Sequence, residues 1–325
     1  MPVSDERSIL ALSGGVGGAK LALGLSKVVA PEALSIITNT ADDFEHLGLP
    51  ISPDLDTVMY TLAGLNNTEL GWGLAGESWQ FMQALKTLDG EAWFQLGDKD
   101  LATHIQRREL LKNHSLTAVT RQLAQQLQVD VALLPMCNEK VSTHVILAKD
   151  YVDEAQSLTY SAGERMDFQS YFVRYQCQPV IADYCFDGLA QSAITAQTQA
   201  AIDKAQALIV CPSNPFVSIE PILSVTGMRK ALLNIPSRVV VSPIVAGMAI
   251  KGPAAKMLQE LKMPVTALGV AQLYKGFASH FVLDFADQSY RAEIEELGMD
   301  VIVCNTIMKT EADKVALAES ILQYI

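Results

Sequence analysis

Short runs of apolar residues alternate with longer amphipathic stretches along most of the chain. The apolar runs are Ser8–Leu12, Leu34–Thr38, Val129–Leu134, Ala207–Cys211, Arg238–Ser242 and Met299–Cys304. The amphipathic stretches are Ala19–Val29, Glu77–Leu88, Leu116–Leu127, Ile219–Leu233, Ala254–Leu261 and Glu311–Ile325. Short continuous apolar runs are typical of strands buried on both faces of a parallel sheet. Strands separated by helices predict a three-layer α/β fold, Rossmann-like, with a mostly parallel sheet and ligand-binding loops at the carboxyl ends of its strands.

Two segments depart from this alternation. Residues 54–112 carry mainly helical signals and contain all three tryptophans, Trp72, Trp79 and Trp93. We interpret this segment as a helical insertion over the ligand edge of the sheet. Residues 140–190 are predicted to form a small strand-rich excursion. Because no repeat or linker interrupts the chain, residues 1–325 are predicted to form a single large α/β domain that carries both.

The net charge and the absence of targeting signals limit the kinds of partner and the location that we expect. The net charge is −12, from 24 basic and 36 acidic side chains. Such a field repels nucleic acid and anionic membranes unless a local basic patch overrides it. The first residues include acidic side chains where a signal peptide carries basic ones. No apolar run is long enough to span a bilayer, and the five cysteines form no CxxC motif. We therefore expect a cytoplasmic protein without nucleic-acid or membrane partners.

The first candidate site is a glycine-rich loop. In ILALSGGVGGAK, a predicted strand leads through Gly14, Gly15, Gly17 and Gly18 into a predicted helix. Glycines let backbone amides approach a phosphate closely, and the helix N-terminus adds partial positive charge. The loop is too short for the GxxxxGK[ST] motif and fits GxGxxG only loosely. A tight strand-to-helix turn without a ligand is the structural alternative.

The second candidate site is acidic. Asp42, Asp43, Asp54 and Asp56 lie within fifteen positions, and Asn39 follows the second predicted strand. Carboxylates gathered at a sheet edge suit a hard divalent cation such as Mg²⁺, which leaves coordination positions for phosphate oxygens. The alternative is that these residues are helix caps and solvated loop charges.

Two later loops reach the same predicted edge. In VCPSNPFVSIEPIL, two prolines bracket Ser213 and Asn214 and make the loop rigid. A hydroxyl, an amide and free backbone N–H groups there suit a phosphate or a nucleobase edge. The segment VVVSPIVAGMAIKGPAAK repeats the arrangement with Ser242 and Lys251, although exposed lysines are commonly plain surface.

Taken in order, these motifs resemble those of the 2-phospho-L-lactate transferase family of deazaflavin coenzyme biosynthesis. The resemblance covers about residues 8 to 310. It departs from the family pattern at Glu220, where glycine is expected, and at Lys99, where arginine is usual. The matching segments are SGGVGGAK, NTADDF, ISPDLDTVMYTLAG, GWGLAGESW, LGDKDLATHIQR, LLPM, CPSNPFVSIEPIL, SPIVAG and KGPAAKM.

The resemblance implies a phosphotransfer. A guanosine diphosphate-linked three-carbon phospho-acid is joined to the ribityl hydroxyl of the deazaflavin Fo, GMP leaves, Mg²⁺ is used, and the enzyme is a homodimer. By similarity, Asp42 and Asp56 bind the metal, and Asp43 and Asp54 support them or act as the base, so that all four are catalytic. The substrate-binding residues implied are Gly14, Gly15, Gly17, Gly18, Asn39, Asp56, Gln95, Ser213, Asn214, Ser242 and Lys251.

Two other functions remain open at this point. A related sugar-nucleotide-binding regulatory family shares the glycine loop and fold without this transfer; ISPDLDT, GWG and the aromatic insertion favour the transferases. A nicotinamide-dependent dehydrogenase would share only the glycine loop. The chain lacks the acidic residue that such an enzyme places after its second strand to bind ribose.

Overall fold

A parallel sheet forms the centre of the protein. The computed structural model describes residues 7–154, 157–249 and 252–325. Its strands are β1 (Ile9–Ser13), β2 (Leu34–Thr38), β3 (Phe44–His46), β4 (Leu49–Ile51), β5 (Ala132–Pro135), β6 (Ser142–Leu147), β7 (Tyr151–Asp153), β8 (Leu158–Tyr160), β9 (Arg165–Asp167), β10 (Ile181–Asp187), β11 (Ala207–Val210), β12 (Ser237–Val241), β13 (Ile244–Val245), β14 (Met248–Ala249), β15 (His280–Asp284) and β16 (Asp300–Cys304). Seven of them pair in parallel in the order β16-β15-β12-β11-β1-β2-β5. The predicted α/β fold class is confirmed.

Helices cover both faces of this sheet. They are α1 (Val16–Val28), α2 (Pro53–Leu62), α3 (Gln80–Thr87), α4 (Asp98–Leu111), α5 (Leu116–Gln126), α6 (Ala196–Lys204), α7 (Glu220–Ser224), α8 (Met228–Leu232), α9 (Ala254–Glu260), α10 (Ala267–Leu273), α11 (Arg291–Glu295) and α12 (Glu311–Leu322). Alternate residues of β1 serve the two faces: Ile9 and Ala11 pack with α1, α2, α5 and α12, whereas Leu10 and Leu12 pack with α7 to α11. Burial on both sides explains the continuous apolar runs.

The order of the strands fixes where a ligand can bind. From β1 the chain builds outward through β2 and β5, then crosses to β11 on the other side of β1 and continues through β12, β15 and β16. The loops after β1 and β11 therefore leave neighbouring strands in opposite directions and open a crevice at their carboxyl ends, which is the usual ligand position in such sheets.

The remaining segments surround that crevice. Helices α2, α3 and α4 lie within residues 53–111, and β10, β6 and β9 form a small antiparallel sheet within residues 142–187. The description of these segments as insertions into one domain stays a prediction. No helix formed by the described residues has the length and apolarity needed to cross a bilayer.

Several elements differ from the expected pattern, and helices α6, α10 and α11 were not predicted. Strand β15 was not predicted from the sequence, because its three apolar residues lie between His280 and Asp284 and form too short a run. The single helix expected over residues 219–233 is divided into α7 and α8, preceded by a π-helical turn, Pro215–Ile219. Gly227 separates the two helices with a φ of 85°, a left-handed conformation that interrupts a helix.

Candidate active site

A cavity of about 500 Å³ opens at the crevice between β1 and β11. Its wall combines the glycine loop, the acidic loops, the loop after β11 and aromatic side chains from residues 72–94 and 168–172. Of the residues predicted to form the site, Gly15, Gly17, Asp42, Asp54, Asp56, Gln95, Ser213 and Asn214 line it. Loops that are distant in sequence therefore meet at one edge of the sheet, as parallel strands require.

The glycine loop packs too closely against its neighbours to accept larger residues. A Cβ on Gly15 would lie 2.5 Å from Asp54 Oδ1, and a Cβ on Gly17 would collide with the carbonyl oxygen of Pro212. The Gly14 amide donates a hydrogen bond to Ser213 Oγ at 3.0 Å. Among the described residues, no side chain caps the N-terminus of α1 that follows. Its first-turn amides are therefore available to an anion.

Three aspartates lie beside this loop; Asp42 is buried, and Asp43 and Asp54 are half-buried. Asp42 and Asp43 each keep one buried oxygen, Oδ1, that has no hydrogen-bond partner among the described residues. Burial, and then repulsion from Asp54, raises the pKa of Asp42 well above its ordinary value. Burial likewise raises the pKa of Asp43 and brings the pKa of Asp54 to about 6. A divalent cation would relieve this concentration of charge.

Asp56 is held quite differently, by a buried arginine. Both of its oxygens are bound by the guanidinium of Arg107 on α4: Nη1 lies 3.0 Å from Oδ2, and Nη2 bonds Oδ1. Arg107 is only 1 % exposed and also donates to the Pro50 carbonyl oxygen at 3.4 Å. Burial alone would lower the pKa of Arg107, but the charge of Asp56 outweighs it and raises that pKa. The pairing therefore stabilises the charged form of the Arg107 guanidinium.

A second carboxylate, Asp100, continues this network along α4. Asp100 Oδ1 accepts a hydrogen bond from the hydroxyl of Tyr60 at 2.6 Å, and Oδ2 lies 3.3 Å from His104 Nε2. Burial would raise the pKa of Asp100, but His104, Tyr60 and Arg107 outweigh it and lower that pKa. Asp100 is therefore an ionised acceptor at the cavity wall.

The structure groups the aspartates differently from the pairing of Asp42 with Asp56 that the resemblance implied. Asp42 lies in the field of Asp54 and Asp43, whereas the ligand atoms of Asp56, Asp100 and His104 lie within 4.8 Å of one another. This second group is consistent with a metal ion, although Arg107 already supplies positive charge to it. The free oxygens of Asp42 and Asp43 are the hard donors that Mg²⁺ prefers, so these residues fit that ion.

Five further predicted residues, Asp43 among them, lie beside the cavity rather than at its wall. Asn39 donates to Asp54 Oδ2 at 3.0 Å and to the Val217 carbonyl oxygen at 3.3 Å, so that its amide joins two loops. The hydroxyl of Ser242 is buried and exchanges hydrogen bonds with Ile244 within one turn. These bonds give both side chains a structural role, and their expected contacts with substrate stay a prediction. Gly14 and Gly18 are the buried members of the glycine loop, and Lys251 lies outside the described residues.

The aromatic residues that line the cavity from residues 168–172 were not predicted from the sequence. Phe168 and Phe172 stack with ring planes 8° apart and centroids 5.5 Å apart, and both line the cavity together with Trp93 and Gln95. Their sequence signal was weak because they lie in the strand-rich excursion, where aromatic residues usually indicate a core. Lys20, Tyr60, Asp100 and His104 were also missed, and all four line the cavity.

Replacing Asp54 by asparagine is expected to change how stability depends on pH. The pKa of Asp54 is about 6 in the folded protein against 3.8 ordinarily, so the folded state holds this proton more tightly. Its stabilising contribution is present below about pH 4 and is lost as the pH rises through 6. In metal-free buffer, urea unfolding should show that the free energy of unfolding of D54N rises by about 3 kcal/mol relative to that of the wild type between pH 4 and 7. A D130N control, at an exposed site, should show the same pH dependence of stability as the wild type. If the stability of D54N and that of D130N change equally with pH, the raised pKa assigned to Asp54 is contradicted.

Comparison with known proteins places the chain in a family. The family model for 2-phospho-L-lactate transferase matches residues 9–321. A phosphoenolpyruvate transferase from Kitasatospora aureofaciens is 38 % identical over 96 % of this chain and 94 % of its own length. A 2-phospho-L-lactate transferase from Methanospirillum hungatei is 36 % identical over 96 % of this chain and 98 % of its own.

Solved structures agree on the fold. A crystal structure of a UPF0052 family member from Bacillus halodurans superposes with a TM-score of 0.61, covering 98 % of this chain and all of the other. At 14 % identity, that likeness supports the three-layer architecture alone. The match of the family model and the relatives carries the assignment further: this chain is a transferase and belongs to the 2-phospho-L-lactate transferase family.

Proposed function

We propose that the protein transfers 2-phospho-L-lactate, or a close three-carbon analogue, from a guanosine diphosphate-linked donor to the ribityl hydroxyl of the deazaflavin Fo. GMP leaves, and the product belongs to the biosynthesis of coenzyme F420. The observation that carries the proposal is the composition of one cavity, which joins phosphate-binding amides and buried carboxylates to a wall of aromatic rings. Such a cavity suits a diphosphate at one end and a planar ring system at the other.

The donor is proposed to bind along the glycine loop. Free amides at the start of α1 and the half-buried Lys20 offer positive potential to the diphosphate. Ser213 and Asn214 line the same region on the loop after β11. Asn214 Oδ1 accepts the amides of Phe216 and Val217, which fixes the loop in the conformation that faces the donor.

The reaction forms one bond and breaks one at phosphorus. The acceptor hydroxyl attacks the phosphorus that carries the three-carbon acid, and the bond from that phosphorus to the GMP oxygen breaks. We assign the hydroxyl proton to Asp54, because a carboxylate with a pKa of about 6 is near the value of an efficient general base. Asp42, with Asp43 behind it, would hold Mg²⁺, which when bound neutralises charge on the diphosphate. Homodimer formation stays a prediction from the resemblance.

Donor selection provides the test of this function. Lactyl, enolpyruvyl and glyceryl donors differ only at C3 and in saturation, a difference worth about 1–3 kcal/mol in an apolar pocket. We expect the purified protein to use more than one of them with Fo and Mg²⁺, with preferences within about 200-fold. Mass spectrometry of competing reactions measures this ratio. Rejection of two donors by more than about 10⁴-fold would show that hydrogen bonds read C3. Binding of ligands without turnover would favour the regulatory alternative.

A further inference from the structure

The loop between α3 and α4 forms part of the cavity wall without belonging to a helix or a strand. Trp93, Phe94 and Gln95 in this loop all line the cavity. We propose that residues 90–97 are a lid, held closed by the guanidinium of Arg174 against the ring of Trp93 and released by protonation of His46. We call these eight residues the lid. Its action does not depend on which substrate the cavity holds, so this role goes beyond the proposed transfer.

Side chains rather than backbone bonds hold the lid in place. Among the described residues, the amides of residues 91–96 donate no hydrogen bond to a backbone carbonyl. Leu96 is fully buried in a small apolar cluster with Met82 and Leu101, whereas Trp93 and Phe94 are half-buried. Segments with few backbone hydrogen bonds and few buried apolar contacts open at a low cost in free energy. The lid can therefore open while the helices on either side stay folded.

Those two helices are fixed by a reciprocal exchange of caps. The carboxylate of Glu77, which precedes α3, accepts the amides of Lys99 and Asp100 in α4 at 2.8 and 2.9 Å. Asp98 of α4 in turn accepts the first two amides of α3, both at 3.1 Å. Movement is therefore confined to the residues between the helices, which are those of the lid.

A cation–π contact, which we call the latch, connects the lid to another segment of the wall. Cζ of Arg174 lies 5.8 Å from the centroid of the Trp93 ring. Arg174 ends a π-helical turn, Ser170–Arg174, in which Phe172 and Val173 line the cavity. A guanidinium at this distance is attracted by the negative face of an indole. Because the two residues lie on different segments, the latch breaks when the lid moves away from the turn.

His46 of β3 packs against the same indole. Its ring is 3 % exposed, and its centroid lies 5.4 Å from that of Trp93 and 5.8 Å from that of Phe94. Among the described residues, Nε2 of His46 has no hydrogen-bond partner. A proton on Nε2 would therefore be a buried donor without an acceptor, which is unfavourable. It would also place a second positive charge beside the ring that Arg174 already contacts.

Acid is therefore expected to open the lid. Burial lowers the pKa of His46 from its ordinary value of 6.5, although the charge of Glu91 on the lid and a bond to the Phe94 backbone oppose this shift. Across β3 and β4, His46 pairs with the apolar Leu49. Opening the lid exposes the imidazole to water and restores its ordinary pKa. The closed form thus loses stability relative to the open form as the pH falls below 6.5.

Proteolysis of the ligand-free protein measures how often the lid opens. Glu91 is exposed, and a glutamyl endopeptidase cleaves after it at a rate that follows the population of the open form. R174M should raise this rate about 2- to 5-fold at pH 7.5, which corresponds to the 0.5–1 kcal/mol of an exposed cation–π contact. R174K keeps the charge and should show a smaller rise, which keeps the test valid if R174M folds poorly.

A second measurement isolates His46. The wild-type rate, divided by that of H46F at the same pH, should rise about 3- to 10-fold from pH 7.5 to 5.5, the range for a group of pKa 6.5 that resists protonation in the closed form. The phenylalanine keeps an aromatic ring at this position and removes the titration. A constant ratio would overturn the role of His46.

Matched controls exclude a general loss of stability. R121M and H114F alter exposed residues of the same types and should be cleaved after Glu91 at the wild-type rate. Cleavage after Glu319, exposed on α12, reports unfolding elsewhere in the chain. Wild-type cleavage after Glu91 in both R174M and R174K, or equal acceleration after Glu91 and Glu319, would overturn the lid.

Discussion

Replacement of Asp42 by asparagine is expected to lower kcat by about 10²–10³-fold or more, because the variant loses a charged ligand at the place where phosphate charge must be neutralised. The same change should make the metal-free protein more stable. The Asp42 carboxylate is buried, one of its oxygens has no hydrogen-bond partner among the described residues, and its pKa is raised by burial. Asparagine removes that unfavourable charge and keeps the size of the side chain.

Thermal melting separates these two effects. Wild-type protein should gain Tm when Mg²⁺ is added, because an ion that binds only the folded state stabilises it by mass action, about 2.7 kcal/mol at 100 times Kd. D42N should begin at a higher Tm and gain little from Mg²⁺. D130N, the exposed control, should behave as the wild type in activity and melting. A D42N variant with wild-type turnover and an unchanged response to Mg²⁺ would contradict the assignment.

Replacement of Arg107 by methionine should produce the largest loss of stability of any single change considered. Arg107 neutralises Asp56 at a site where both side chains are almost fully buried. Removing one partner of a buried ion pair leaves an uncompensated charge and costs about 3–5 kcal/mol. Methionine fills a similar volume, so the loss reports charge rather than a cavity.

A double-mutant cycle identifies the cause. The double variant R107M/D56N should recover much of the stability lost in R107M, because no unpaired charge remains. R108M is the matched control, since Arg108 is exposed on the same helix, and its free energy of unfolding should change by less than about 0.5 kcal/mol. Urea unfolding of the wild type, R107M, D56N and R107M/D56N gives the coupling energy. Additive losses in the cycle would show that Arg107 acts through packing alone.

Site residues in loops that directly follow a strand could be predicted from the sequence. Glycines after the first apolar run and aspartates after the second lie at the same sheet edge in any parallel α/β fold, so their proximity follows from topology. Gln95 and Asn214 also line the cavity, but their polar atoms contact backbone groups nearby, which a motif does not reveal. The bonds that Asn39 and Ser242 make within their loops are equally hidden from a motif, because a polar residue at a strand end can contact the loop as well as a ligand.

The buried network on α4 could not be predicted in the same way. Asp56 and Arg107 are separated by fifty-one positions, and only the packing of α4 against β4 and α2 brings them together. In DKDLATHIQRREL, charged residues dominate, which ordinarily indicates a solvated helix face. A usable signal was nevertheless present: Asp100, His104 and Arg107 follow the spacing i, i+4, i+7 and therefore share one face.

Reciprocal capping makes the N-termini of α3 and α4 one cooperative folding unit beside the cavity. Helix ends usually fray independently, since the first amides of each helix have their own partners. Here Glu77, which precedes α3, satisfies amides of α4, and Asp98 of α4 satisfies amides of α3. Neither N-terminus can unwind without depriving the other of its acceptor. Local opening of this unit is therefore all-or-none, and amide hydrogens at the two helix starts exchange with solvent through one shared event.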